Sequence, residues 1–342
     1  MNEPLETVGV VGSGSFGMAI ADLLSANVRV VVYARRAEVV EAIQTRSGEY
    51  AHLSERISAS NDLSVLTQTC TLIFVVIPSQ VFREMMRALS PFLRPSHLII
   101  HATKGLDISL APADTPLHAK YIRTMSQIIQ EETVVCRVGC LSGPNLSSEI
   151  RAQQPAATLI SSPFNEVIKA GQKVLRSERF QVYGNRDILG AELAGALKNI
   201  IALAAGILAG RGFGKNVWAL LITRGLGEMV HIGKAMGADV KAFLGIAGIG
   251  DLVATAGSSQ SRNYQVGKRL AEGEKLSEIL TSLGEVAEGI HTLKITKTIV
   301  SSLSISAPIV EVLYRVFFKD MPVDKAIHFL MTYPYTVDVD YV

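Results

Sequence analysis

The sequence predicts two domains of different class: an α/β doubly wound sheet over residues 1–187 and an all-α domain over residues 188–342. Three observations carry that prediction. Short runs rich in Val and Ile, with almost no polar alternation, alternate with helical patterns through the first half. Parallel strands covered by helices on both faces read this way. A glycine-rich turn, Gly12-Ser-Gly-Ser-Phe-Gly17, separates the first such run from the first helix. Beyond residue 187 long helical patterns take over, and no strand-rich stretch recurs before the tail. A length of 342 residues, about twice that of a modal domain, agrees with this division.

In order along the first domain, strands are expected at 7–11, 28–33, 71–77, 97–102, 133–139, 157–160 and 180–182, with helices at 17–25 and 80–89 among them. Strand-helix alternation of this kind implies a parallel sheet. The second domain is expected to carry helices at 188–209, 216–236, 263–272, 276–283, 291–302 and 308–317, separated by loops at 210–215 and 257–261. The boundary falls at the turn 184–187, where Asn185 or Asp187 offers an oxygen to cap the helix that follows. With no internal repeat and no Pro- or Gly/Ser-rich linker, the two domains are expected to pack together, a cleft between them being the natural place for a site. The tail, 332–342, carries three tyrosines and alternates Val with Asp. It reads as a frayed terminus or as an extended arm at a subunit contact.

Composition narrows the function. Apolar residues at 48% and charged residues at 19% exclude a disordered chain. Lys plus Arg number 33 against 31 acidic residues, a net charge of +2, which leaves no footprint for nucleic acid or an anionic membrane. Cys70, Cys136 and Cys140 are too few, and odd in number, for a disulfide framework, and no histidine pair completes a metal site. They are expected as buried thiols in a reducing compartment. Mean hydropathy is +0.30. The longest apolar run, 193–209, is interrupted by Lys198 and Asn199 and falls short of the roughly 20 residues that a bilayer needs. A buried helix fits it better than a membrane span. The start of the chain is acidic, with Glu3 and Glu6, so no signal peptide is expected and the cytoplasm is the expected compartment.

Each glycine of the first turn has a mechanical task. Gly12 makes the tight turn, Gly14 lets backbone approach a pyrophosphate, and Gly17 lets helix and strand pack closely. The helix start then offers N–H groups and a positive dipole end to the anion. This context implies a Rossmann-like nucleotide-binding domain. The second strand ends in Arg35 and Arg36, where an NAD-selective site places a carboxylate for the ribose 2′-hydroxyl. A guanidinium accommodates a 2′-phosphate instead, so NADP(H) is expected to be accepted as well as NAD(H), with Arg35 the better placed of the two.

The second domain supplies the reactive groups. Lys198 lies in the apolar stretch 190–206, where an unpaired ammonium would cost several kcal/mol, so it needs a partner or a lowered pKa. Ala194 and Gly195, a turn earlier on its face, are small enough to leave room for a ligand. The alternative is a lysine that snorkels to the domain edge. Lys104 follows the strand at 97–102, and Pro78 and Gly143-Pro144-Asn145 end two further strands, the edge at which doubly wound folds bind ligands. Asp251 follows a glycine-rich apolar run, which suggests a carboxylate aimed into a packed region. Ser261, Arg262 and Asn263 cluster donors at a helix start, a receptor for a phosphate group.

Taken together, Gly12–Gly17, Ala102-Thr-Lys-Gly-Leu106, Leu141-Ser-Gly-Pro-Asn145, Gly195-Ala-Leu-Lys-Asn199 and Arg211-Gly-Phe-Gly-Lys-Asn216 resemble the bacterial type of NAD(P)-dependent glycerol-3-phosphate dehydrogenase. The resemblance continues through Leu221-Ile-Thr-Arg-Gly225, Gly248-Ile-Gly-Asp251, Gln260-Ser-Arg-Asn263 and Ala287-Glu-Gly289, and so covers nearly the whole chain. It implies hydride transfer between NAD(P)H and dihydroxyacetone phosphate, with Lys198 catalytic, Lys104 touching cofactor and substrate, and Asp251 beside the amine. It implies substrate contacts at Gly143, Asn145, Ser261, Arg262 and Asn263. Cofactor contacts are implied at Ser15, Phe16, Arg35, Ser147, Val286 and Glu288, with Arg262 serving both ligands. Gly12, Gly14, Gly17, Arg36 and Pro78 complete the expected nucleotide site, and no metal is expected. A homodimer supplying glycerol 3-phosphate for phospholipid synthesis is also implied. Asn145 stands where many members have Ser or Thr, and Ser147 where Ala is common, so altered contacts rather than lost activity are expected there. The tail after Leu330 does not match the family's usual basic ending. Two rival readings are a related dehydrogenase of a hydroxy acid and a dinucleotide sensor without chemistry. The second has no need of a lysine at 198.

Overall fold

Strands β1 (Thr7–Val11), β2 (Arg29–Tyr33), β3 (Ile57–Ser60), β4 (Leu72–Val75), β5 (Leu98–His101), β6 (Val138–Ser142), β7 (Ala156–Ser161) and β8 (Phe180–Asn185) form one sheet in a computed structural model of the chain. The structure describes residues 7–111, 118–283, 287–334 and 337. The chain divides into two compact units, Met1–Thr103 with Met125–Ile188, and Lys104–Thr124 with Leu189–Val342.

The sheet belongs to the first unit, with order β3-β2-β1-β4-β5-β6-β7-β8. Helices α1 (Ser15–Ser25), α2 (Ala37–Thr45), α3 (Leu63–Thr69), α4 (Phe82–Leu89), α5 (Met125–Glu132), α6 (Ser147–Arg151) and α7 (Asn165–Leu175) connect the strands. Strand composition follows from burial on both sides. Val8, Val10, Val30, Val32, Leu72 and Phe74 pack into one core, while Val11, Val31, Ile73 and Val75 pack into another. With both faces covered, the period of two leaves no polar trace. The chain runs from β1 outward to β3, then returns to the other side of β1 as β4, which makes a topological switch point between β1 and β4.

Three sequence expectations are corrected. The sheet is not wholly parallel: β7 pairs antiparallel to β6 through Leu141↔Ile160, and β8 then runs parallel to β7. The only helix between β6 and β7 is α6, of 5 residues, too short to span the sheet and return the chain to its starting edge. The strand expected at 133–139 begins instead at Val138, because the β5 ladder pairs Ile99 with Val138 and His101 with Cys140. Val134 and Cys136 lie before it and are exposed, so the expectation of a buried thiol holds for Cys70 and Cys140 but not for Cys136. Strand β3 went unforeseen because its sequence Ile-Ser-Ala-Ser buries only Ile57 and Ala59 at an edge of the sheet.

The second unit is helical: α8 (Ile188–Gly210), α9 (Lys215–Ala235), α10 (Val240–Leu244), a π-helical turn (Ile246–Gly250), α11 (Asp251–Ala256), α12 (Arg262–Ala271), α13 (Leu276–Leu283), α14 (Glu288–Ser302), α15 (Pro308–Phe318) and α16 (Val323–Met331). Just before α8, the Asn185 side chain accepts from Asp187 N–H at 2.7 Å, an Asx turn at the expected boundary. Helix α8 is long and apolar enough to cross a bilayer, yet 83% of its most apolar window is buried inside the protein. It forms the centre of the helical core with Leu193, Leu197, Ile200 and Leu203. Of the tail, Tyr333 shares a 3.0 Å hydrogen bond with Ser306, and the Val337 carbonyl accepts from Arg224 at 3.1 Å. The rest of the tail beyond Pro334 lies outside the described residues.

Candidate active site

The carboxyl edge of the sheet is shaped as the glycine pattern requires. Gly12 has φ +124°, and a Cβ there would fall 2.2 Å from the Val76 carbonyl oxygen. A Cβ on Gly17 would fall 2.1 Å from the Gly12 carbonyl oxygen. Gly14 is different, for its Cβ would meet nothing within 4 Å. The glycine at 14 therefore faces open space beside the start of α1, where no side chain caps the free N–H groups. This is the cradle that a dinucleotide pyrophosphate needs, and the residues present fit that group. Ser15 Oγ donates to Ser147 Oγ at 3.0 Å, which joins the starts of α1 and α6, with Phe16 half-buried beside them. Arg35 and Arg36 follow β2 and are exposed. Arg36 pairs with Glu38 at 3.6 Å, whereas Arg35 engages no described residue. Pro78 is exposed beyond β4. Gly143 is buried after β6 with φ +139°. Asn145 donates to Thr158 Oγ1 at 2.8 Å, and its Oδ1 is buried without a hydrogen-bond partner.

In the second unit one carboxylate gathers two ammonium groups. Lys198 is 5% exposed, and its Nζ donates to Asp251 Oδ1 and, at 2.6 Å, to Thr255 Oγ1. Lys104 Nζ donates to Asp251 Oδ2 at 2.5 Å. Burial pulls the Lys198 amine down to about 7, the Asp251 charge opposes that fall, and the Lys104 charge adds to it. Local backbone explains the convergence. The π-helical turn before Asp251 is tight enough that a Cβ on Gly248 would lie 2.0 Å from the Phe243 carbonyl oxygen. Asp251 then opens α11, so Thr255 sits one turn further along the same face, with its Oγ1 3.3 Å from Asp251 Oδ1.

A second polar group adjoins this one in sequence. Asn263 Nδ2 donates to Asn199 Oδ1 at 3.0 Å, and Gly289 N–H donates to Asn263 Oδ1 at 2.9 Å. Ser261 caps α12 by accepting from Tyr264 N–H at 3.4 Å, and Arg262 is exposed at the first position of that helix. Glycines set how closely α12 lies on α8. A Cβ on Gly206 would fall 2.0 Å from the Tyr264 carbonyl oxygen, and one on Gly267 would fall 2.0 Å from that of Leu203. Both obstacles are backbone, which cannot turn aside. Gly267→Ala should therefore destabilise the fold by about 3 kcal/mol, the upper end of overpacking costs, read as a lower urea midpoint. A midpoint within error of the original would refute this packing.

The structure thus gathers the expected residues in two groups. Gly12, Gly14, Ser15, Phe16, Gly17, Arg35, Arg36, Pro78, Gly143, Asn145 and Ser147 belong to the first unit. Lys104, Lys198, Asp251, Ser261, Arg262, Asn263 and Glu288 belong to the second. Val286 lies outside the described residues. Thr255 and Asn199 had no role in the sequence reading. The signals were there: Thr255 is four residues after Asp251, and Asn199 follows Lys198 directly. No group of three or more metal-ligating side chains occurs among the described residues.

Residues 7–168 match the N-terminus of NAD-dependent glycerol-3-phosphate dehydrogenase, and residues 187–328 match its C-terminus. The glycerol-3-phosphate dehydrogenase (NAD(P)+) of Saccharophagus degradans is 38% identical over 341 residues, covering 98% of this chain and 92% of that relative. The enzyme of the same name from Azotobacter vinelandii is 38% identical over 343 residues, covering 98% of this chain and 97% of the relative. The crystal structure of glycerol-3-phosphate dehydrogenase from Coxiella burnetii superposes with a TM-score of 0.87 at 29% identity, covering 96% of this chain and 99% of that one. The chain therefore belongs to the NAD-dependent glycerol-3-phosphate dehydrogenase family.

Proposed function

We propose that the chain interconverts dihydroxyacetone phosphate and sn-glycerol 3-phosphate with NAD(P)(H), and that Lys198 is the general acid and base. The observation that carries this is the buried Lys198 amine, held between Asp251 and Thr255 with its proton affinity brought to about 7. A group poised near working pH both gives and takes a proton readily. When bound, the reduced dinucleotide supplies the hydride that adds to the ketone carbon. In that direction Lys198 delivers a proton from Nζ to the ketone oxygen, and in the reverse direction it removes the hydroxyl proton. Lys104 places a second positive charge beside the developing alkoxide. Asp251 orients both ammonium groups through its two oxygens. Ser261, Arg262 and Asn263 hold the remote phosphate, whose binding energy then fixes the reacting carbon. Gly143 and Asn145 complete the substrate contacts.

The glycine loop and Ser147 hold the dinucleotide in the first unit, with Glu288 and Arg262 as contacts in the second. The exposed Arg35 suits a 2′-phosphate, so NADPH serves as well as NADH. A homodimer in the cytoplasm, making glycerol 3-phosphate for phospholipids, completes the proposal.

The test is oxidation of NADH and NADPH in parallel with dihydroxyacetone phosphate across pH. Reduction needs the protonated amine, so its rate should fall as pH rises through about 7. Oxidation of glycerol 3-phosphate needs the neutral amine and should rise through the same range. Faster turnover with a 2-oxo acid than with the phosphorylated ketone would favour the hydroxy-acid reading.

A further inference from the structure

We propose that Asn263, beyond its phosphate contact, has a positioning role: its buried side-chain amide ties the turn bearing Glu288 to the turn bearing Arg262, so that cofactor and substrate reinforce each other's binding. The proposal rests on the ligand assignments above and extends them to how the two sites communicate.

Helix α14 begins at Glu288 after Ala287, a residue with no side-chain oxygen, so its first turn has no cap of its own. Asn263, 26 residues earlier on another helix, supplies the missing acceptor to Gly289 N–H. The same amide donates to Asn199 on α8. Gly289 leaves no slack in this junction, since a Cβ there would lie 2.7 Å from Asn263 Oδ1 and 2.8 Å from the Asn199 carbonyl oxygen. All three residues lie in the second unit.

The chain neighbours give the junction its meaning. Asn199 follows Lys198, Asn263 follows Arg262, and Gly289 follows Glu288. One amide therefore joins the turns that present the acid, the phosphate grip and a cofactor contact. Asn263 is 7% exposed. The junction uses one Nδ2–H and the Oδ1 of Asn263, so the second Nδ2–H can donate to a phosphate while Gly289 N–H and Asn199 Oδ1 keep their partners. A ligand that orders either turn orders the other through this bond, and such coupling must be reciprocal.

The experiment measures NADPH binding by its fluorescence, alone and with saturating sn-glycerol 3-phosphate. Both ligands are reduced, so no turnover intervenes. In the unmodified chain, glycerol 3-phosphate should tighten NADPH by about tenfold, within the usual range for coupled sites. Asn263→Ala should weaken NADPH alone and bring that factor close to one, with the thermal midpoint recording that the variant is folded. Should the alanine variant not fold, Asn263→Ser is the second variant, with the same expected loss. Two results would overturn the proposal: an unmodified chain without coupling, or a folded variant that keeps the full factor and loses only glycerol 3-phosphate affinity. The latter would make Asn263 a phosphate contact alone. An unmodified chain that binds no NADPH would remove the underlying assignment, and the proposal with it.

Discussion

Lys198→Ala should reduce turnover by about 10³-fold, within the range that general acid-base catalysis contributes, while NADPH still binds. The two effects separate because the glycine cradle lies in the first unit and the amine in the second. The variant should also fold. Asp251 keeps the Lys104 ammonium on its other oxygen, so removal of Lys198 does not strand a buried carboxylate. A small primary amine added to the variant should restore part of the rate, since the lost side chain leaves space beside Thr255. Steady-state rates with and without methylamine, set against NADPH titration, give the answer. Undiminished turnover in Lys198→Ala would refute the acid/base assignment.

Asp251→Asn should produce the second large loss, about 10²-fold or more, with a signature of its own. Asp251 is the charge that raises the proton affinity of Lys198, against burial and Lys104, which lower it. Asparagine has nearly the same shape and no charge, so both lowering influences act unopposed. The midpoint of the pH profile for reduction should therefore move below that of the unmodified chain, and the residual rate should recover on acidification. An unmoved midpoint would mean that the carboxylate only orients its neighbours.

How much of this was legible in the sequence depends on how local each feature is. The glycine loop is contiguous: Gly17 meets the Gly12 carbonyl within the loop, Gly12 meets Val76 just beyond the adjacent strand β4, and Gly14 faces open space. Lys198 advertised itself because a charge in an apolar helix is anomalous wherever the helix lies. Thr255 was missed because its relation to Asp251 needs a helix at 251–256, and the glycine-rich 245–250 stretch disguised the π-helical turn that leads into it. The reversal at β7 depends on how far a short connection can reach, and strand patterns carry no record of direction. Asn263 and Gly289 are brought together by helix packing alone, and neither residue type announces the bond.

The excursion of Lys104–Thr124 out of the sheet unit has a practical bearing on dissection of the protein. The polypeptide leaves after β5, lends one ammonium to the helical half, and returns to make α5 and β6. Cleaving it at residue 187 would therefore not release an intact helical unit. The downstream fragment would lack Lys104 and would leave Asp251 Oδ2 without that donor, even if every helix from α8 onward refolded. An excised version would need the 104–124 stretch grafted back before its chemistry could be judged.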